Sequence, residues 1–250
     1  MFRTSTDSST HPHESGHLET RIRTMARPSA LGRSPGTVLL IVALAVALAA
    51  APASAASAAS APTLFGGNLI VNGDAEAGAA SPDGYSVVPI PGWTTSGPLV
   101  VVAYGTDGGY PSSTDPGPTD RGENFFAGGP DNASSSATQL VNVAAAAYLI
   151  DSGSVRYDLA GYLGGWTDQD DNAVLRVTFK QGAIVLASAE IGPVTAADRD
   201  DETGLLEQST SGFVPVGTRQ ILVTLQMTKD PTVGAYNDGY ADNLSLVLTK

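Results

Sequence analysis

The chain has 250 residues, no cysteine, only 15% charged residues and a formal net charge of −12. The missing cysteine excludes disulfides, thiolate metal sites and a cysteine nucleophile. A pI near 4.4 argues against a nucleic-acid backbone as partner, which needs a basic face.

The first fifth reads as a leader rather than as fold. Residues 37–51 form an apolar, uncharged run, preceded by Arg21, Arg23, Arg27 and Arg33. The run is shorter than the about 20 residues a membrane span needs. Ala53, Ser54 and Ala55 follow it as a small-residue cleavage site. Residues 1–55 are therefore predicted to be a secretory signal peptide, with Met25 as an alternative start and an uncleaved N-terminal anchor as the competing reading. No second apolar run of that length follows, so no membrane span is expected after processing. The alanine-rich, cysteine-free style points to a bacterial secreted, extracellular protein. Cleavage would remove His11, His13 and His17 and leave 8 basic against 22 acidic side chains, net −14. Without His or Cys, the secreted product lacks serine–histidine triads, histidine–zinc sites and thiol chemistry. Carboxylates, hydroxyls, amides and aromatics remain. Those suit calcium, sugar binding or a two-carboxylate glycosidase.

Residues 56–66, rich in Ala, Ser and Pro, read as a flexible linker. From residue 67 on the pattern is strands and turns. Leu69–Val71 is a short apolar run ending at the turn pair Asn72-Gly73. Leu99–Tyr104 is a second run, 105–122 a long polar loop, and Glu123–Ala127 and Thr138–Val143 further strands. Ala144–Ile150 is predicted as a short helical turn. Alternation is clearest in Val155–Leu163, Ala173–Lys180, Ile221–Met227 and Leu244–Leu248, where a period of two places each apolar set on one sheet face. Gln181-Gly182 reads as a hairpin turn, and Thr195–Asp198 as a brief capped helical turn. Eight to ten short strands without sustained helical periodicity predict an all-β fold, a single antiparallel β-sandwich over 67–250. Jelly-roll connectivity is one arrangement of those strands.

Asp74, Glu76 and Asp242 stand at the margins of apolar strands. If the first and last strands pair, these carboxylates meet, and a hard cation would relieve their repulsion. The alternative is three solvated turn carboxylates. Asp168, Asp170 and Asn172 keep the opening rhythm of an EF-hand loop, but Ala173 and Phe179 stand where Gly and Glu are needed. Asp198, Asp200 and Glu202 fail likewise at Thr203 and Ser209, and both stretches read as solvated loops. Trp93, Tyr110, Trp166, Tyr236 and Tyr240 lie in Gly/Pro/Asp-rich surroundings. There, rings can stack on the C–H faces of sugars while Asn and Asp bond hydroxyls. The alternative reading of Trp93 and Tyr240 is core, which the preceding Pro91-Gly92 favours for Trp93.

The pieces Asn72-Gly73-Asp74-Ala75-Glu76, Pro91-Gly92-Trp93, Gln139 and Asp242-Asn243-Leu244-Ser245-Leu246, in that order, resemble the galactose-binding-like β-sandwich of secreted carbohydrate-binding modules. The resemblance covers about Asn68 to Leu248. Ala75 departs from it where that family usually has Phe. A fainter likeness, through Asn68-Leu69, Glu76 and Gly165–Asp168, is to the F-box-associated glycoprotein-binding domain. That domain takes its sugar contacts from a loop matching Lys229–Tyr240 here. The resemblance implies a galactose-binding-like jelly roll and a structural calcium held near Glu76 and Asp242, with Asp74 as the third ligand. It also implies a non-catalytic role on a glycan or cell-wall polysaccharide. Trp166, Asp168, Tyr236, Asn237 and Asp238 are the ligand-binding candidates, and no catalytic residue is assigned. A monomer is expected, with no nucleic-acid partner. The competing readings are a structural or adhesion module and a small glycosidase.

Overall fold

The computed structural model describes residues 63–250. The predicted leader and most of the linker lie outside the described residues. Ten strands follow in chain order: β1 (Thr94–Ser96), β2 (Val100–Ala103), β3 (Asn124–Gly129), β4 (Ser134–Asn142), β5 (Arg156–Gly165), β6 (Asn172–Gln181), β7 (Ile184–Ile191), β8 (Gly204–Phe213), β9 (Gln220–Thr228) and β10 (Asn237–Thr249). They form two five-stranded sheets with every strand pair antiparallel. Sheet 1 runs β1-β4-β9-β6-β7 and sheet 2 runs β2-β3-β10-β5-β8. Apart from the β2–β3 and β6–β7 pairs, each strand crosses to the other sheet, which is jelly-roll connectivity. The all-β sandwich expected from the alternating pattern is the fold observed.

The main core lies between the sheets. Leu159, Leu163, Leu246 and Leu248 of sheet 2 face Leu175, Val177, Phe179, Ile221, Val223 and Leu225 of sheet 1, all buried. Their opposite-parity neighbours are mostly polar, with Ala160, Val174, Leu222 and Val247 as exceptions, which is why β5, β6 and β9 alternate in sequence. β3 and the first part of β10 (residues 237–242) do not alternate, because both faces are covered there. Phe126 and Ala241 enter the main core, whereas Phe125 and Tyr240 enter a second, smaller one with Val100, Val102, Tyr110, Ala127 and Leu205. That second core sits on the outer face of sheet 2 and is roofed by the long loop 104–123. Arg121 organises the roof. Its guanidinium donates to the carbonyls of Pro118, Ser112 and Asp115 and lies 5.1 Å from the Tyr104 ring centroid.

Two sequence expectations need correction. Leu69–Val71 is not a ladder strand. Gly66 and Leu69 donate backbone bonds to Leu248 and Leu246 of β10, but Asn68 interrupts the ladder. Its Oδ1 accepts from Ile70 and Leu246 while its Nδ2 donates to Leu244. Gln139 then pins the segment from sheet 1 by bonding both the N–H and the carbonyl of Val71. The opening segment therefore does meet the last strand, largely through side-chain amides. β8 escaped the sequence reading because its Ser/Thr/Gln-rich stretch lies at the sheet edge, pairing only with β5. Other expectations hold. Residues 104–123 contain no strand, a short helix α1 (Ala147–Asp151) follows a helical turn at Ala144–Ala146, and Gly182 turns the β6–β7 hairpin at φ +60°. Trp93 is core: it packs edge-on against Phe126 at 5.7 Å and donates Nε1–H to the Asn72 carbonyl.

Candidate functional site

The chain's two candidate sites both depend on β10. Its register shifts twice, between Asn237 and Tyr240 against β3 and between Asp242 and Ser245 against β5. Such bulges re-aim side chains. At the second shift Asn243 takes a left-handed φ of +48°.

The predicted metal ligands flank this second bulge. Asp242 is fully buried. Its Oδ2 accepts the Tyr104 hydroxyl at 2.7 Å and its Oδ1 accepts the Asn243 amide at 2.7 Å. Burial pushes its carboxyl up to about 8, and the nearby carboxylates of Glu76 and Asp74 add to the rise. Glu76 bridges instead to the start of β3. Its Oε1 accepts the Glu123 and Asn124 amides at 2.7 and 2.8 Å, and its Oε2 accepts the Asn124 side chain. Asp74 is exposed. Among the described residues no three acidic or histidine side chains converge as a metal cluster. In donor chemistry the residues nevertheless fit a hard cation. Every candidate donor is an oxygen, the carboxylates lie within one another's field, and no basic group contributes to the shift of the buried Asp242. Asp242 and Glu76 would hold the ion, with Asp74 nearby.

A polar cavity of about 530 Å³ lies over the same bulge, lined among others by Asp74, Asp120, Tyr162, Glu207 and Asn243. It offers one aromatic ring. The aromatic site is elsewhere.

The ligand-binding candidates converge in part. Trp166 directly follows β5, Tyr236 directly precedes β10 and Asp238 lies near its start, so antiparallel pairing of those strands brings them to one end of sheet 2. With Tyr85, Gly108 and Tyr110 they line a cleft of about 170 Å³. The Tyr236 ring stands nearly perpendicular to two others, at 5.3 Å and 72° from Tyr85 and at 5.7 Å and 75° from Tyr110. The hydroxyls of Tyr236 and Tyr110 both donate to the Gly84 carbonyl, at 2.7 and 3.3 Å. This fixes the 81–86 turn as one wall. Asp83 holds that turn by accepting the Ser86 and Tyr85 amides, which keeps its carboxyl low, at about 2. Gly84 has φ +74°, and an added Cβ would overlap the Tyr110 hydroxyl. Gly84→Ala is therefore expected to cost about 1–3 kcal/mol, read as a lower urea midpoint, and to displace the Tyr110 ring.

Among the described residues, Asp238 is the only charged group lining the cleft. Its Oδ1 accepts the Tyr240 hydroxyl at 2.7 Å, and among the described residues Oδ2 accepts no hydrogen bond. Burial raises its carboxyl to about 6, opposed by the Tyr240 hydroxyl and reinforced by Asp171. Asp171 lies wholly buried beneath, accepting the Asp238 amide at 2.6 Å and the Asp230 amide. Burial raises its carboxyl too. Desolvation also pushes Tyr110 up to about 12. Below the cleft, Arg199 is buried and bonds the carbonyls of Glu202 and Gln169. Its Nε and the Gln169 Oε1 are left without partners among the described residues.

Two ligand-binding candidates lie outside the cleft lining. Asn237 is fully buried, with its Nδ2 donating to Asn132 and its Oδ1 accepting the Gly239 amide at the first bulge. Asp168 is exposed on the β5–β6 connection and accepts the Thr167 hydroxyl. Conversely, sequence reasoning missed Tyr85 entirely. The usable signal was Asp83-Gly84, a turn pair that presents the next side chain outward. The outer face of sheet 1 carries Thr138, Thr224, Gln226, Arg176 and Thr178 and no aromatic ring.

No family model and no curated protein matches this sequence. Among solved structures, the chain is similar to the enzymatically active domain of tailspike protein 4 of bacteriophage CBA120. The TM-score is 0.42 at 15% identity, over 73% of this chain and 21% of that one. It is similar to the N-terminal CBM22-1 and GH10 modules of Clostridium thermocellum endo-1,4-β-D-xylanase 10B, with TM-score 0.36 and 18% identity over 64% of this chain and 26% of that one. A third likeness is to the CBM22-1 xylan-binding domain from Paenibacillus barcinonensis Xyn10C, with TM-score 0.38 and 13% identity over 67% and 92% of the two chains. The chain thus spans about a fifth to a quarter of the first two structures.

Proposed function

We propose that this domain is a non-catalytic carbohydrate-binding module, acting outside the cell as a monomer, with the Tyr85–Tyr110–Trp166–Tyr236–Asp238 cleft as its glycan site. One observation carries the reading: four aromatic side chains and a single carboxylate surround a cavity with room for one small ring. Aromatic faces pack on sugar C–H groups, and the carboxylate orients hydroxyls by hydrogen bonds. Trp166 and Tyr236 are half-buried, with surface left for a ligand. The neighbouring Asp171 has no access to a substrate, since it is wholly buried and saturated by backbone amides. That supports binding over two-carboxylate hydrolysis. The test is a glycan array with the full chain, including xylan and cell-wall polysaccharides. Specific binding is expected, and Trp166→Ala is expected to weaken it at least about tenfold through loss of roughly 1.4 kcal/mol of contact. Unchanged affinity in Trp166→Ala would place the glycan elsewhere.

A structural calcium near Asp242 and Glu76 belongs to the same proposal. Bound there, the ion would supply the positive charge that the buried Asp242 lacks. Asp242 lies on β10 and Glu76 on the opening segment, so their joint ligation would tie the two together. The same two carboxylates adjoin the roof loop, through Tyr104 and through the Glu123 and Asn124 amides.

A further inference from the structure

We propose that the cleft selects a sugar bearing a protonated amine, held by the Tyr85, Tyr110, Trp166 and Tyr236 rings against the free Oδ2 of Asp238. The inference rests on the glycan reading above and names its ligand class. A neutral sugar would leave the Asp238 carboxylate desolvated and without a counter-charge, which is costly in a half-buried site. Among the described residues no cation contributes to the shift of Asp238. Arg199 donates to the carbonyls of Glu202 and Gln169, and the Lys229 ammonium to those of Asp230, Val233 and Gly234. The other titratable groups around Asp238 are Asp171 beneath it and the Tyr110, Tyr236 and Tyr240 hydroxyls. All of these are neutral or negative. The ring faces are themselves negative and attract an ammonium ion. The near-perpendicular arrangement of Tyr236 with Tyr85 and Tyr110 lets rings meet one small cation from different sides. The chain's net charge of −12 favours the approach of such a ligand.

The test is calorimetric titration of the full chain at pH 6.5 with three probes: a tetramer of glucosamine, its fully N-acetylated counterpart and choline chloride. The glucosamine tetramer is expected to bind about tenfold more tightly than the N-acetylated one, the size of a desolvated cation–π and charge contact. Asp238→Asn should bring that ratio near one, by lowering affinity for the glucosamine tetramer more than for the N-acetylated one. In the unmodified chain the preference should fade below about pH 6, where Asp238 takes up its proton, which needs no variant to fold. Equal binding of the two tetramers would overturn the amine preference while leaving the glycan reading standing. Absence of binding to any glycan of the array would overturn both. Choline binding as tightly as the glucosamine tetramer would overturn the sugar as the source of the ammonium group.

Discussion

Phe125→Ala is expected to lower the free energy of unfolding by about 3–5 kcal/mol and to abolish ligand binding in the fraction that still folds. Phe125 is fully buried in the smaller core, against Tyr240 at 5.3 Å, Tyr104 at 4.9 Å and Tyr110 at 6.3 Å. Removing its ring leaves a void that sheet 2 cannot close, because β3 is pinned on both sides by β2 and β10. The same void frees Tyr110, which forms one wall of the cleft, and Tyr104, whose hydroxyl donates to Asp242. Urea unfolding measures the first effect, and titration with the best array ligand the second. Phe125→Leu, which keeps most of the volume, should retain binding. Full affinity in Phe125→Ala would show that the small core does not support the site.

Asp242→Asn should abolish the response of the protein to calcium. In the unmodified chain, calcium at about 100 times its dissociation constant is expected to add about 2.7 kcal/mol of stability, by mass action on the folded state. Chelator should remove that gain. In Asp242→Asn the calcium effect should vanish. In chelator the variant should be at least as stable as the parent, because a buried carboxylate repelled by Glu76 and Asp74 has become a neutral amide of the same shape. Thermal melts in calcium and in chelator give all four values. A parent chain that melts at one temperature in both would sink Glu76 and Asp242 as ligands.

The lining of the cleft was only partly readable in advance. Trp166, Tyr236 and Asp238 announced themselves as aromatics and a carboxylate in turn-rich surroundings. Asn237, one residue from two of them, belongs to the β-bulge instead, since its amide fills the space beside Gly128. Neighbours in a strand point to opposite faces, and a bulge changes that parity without any mark in the sequence. Tyr85 lies about 150 residues from Tyr236, and only the sandwich brings the two rings into contact.

Composition and periodicity by themselves determined that the chain forms an antiparallel sandwich, because burying one face of each strand forces a period of two on β5, β6 and β9. Missing His and Cys likewise narrowed the chemistry of the predicted secreted product. Tertiary structure alone decided that β2, β3 and the first part of β10 are covered on both faces. It also decided that the opening segment is tied to β10 by Asn68 and to β4 by Gln139, and that one end of sheet 2 gathers four aromatic side chains around Asp238. Those features rest on contacts between residues far apart in the chain, on bulge positions and on loops folded over a sheet. Local pattern does not encode them, since the energy that fixes each one comes from a partner brought near only by the completed fold.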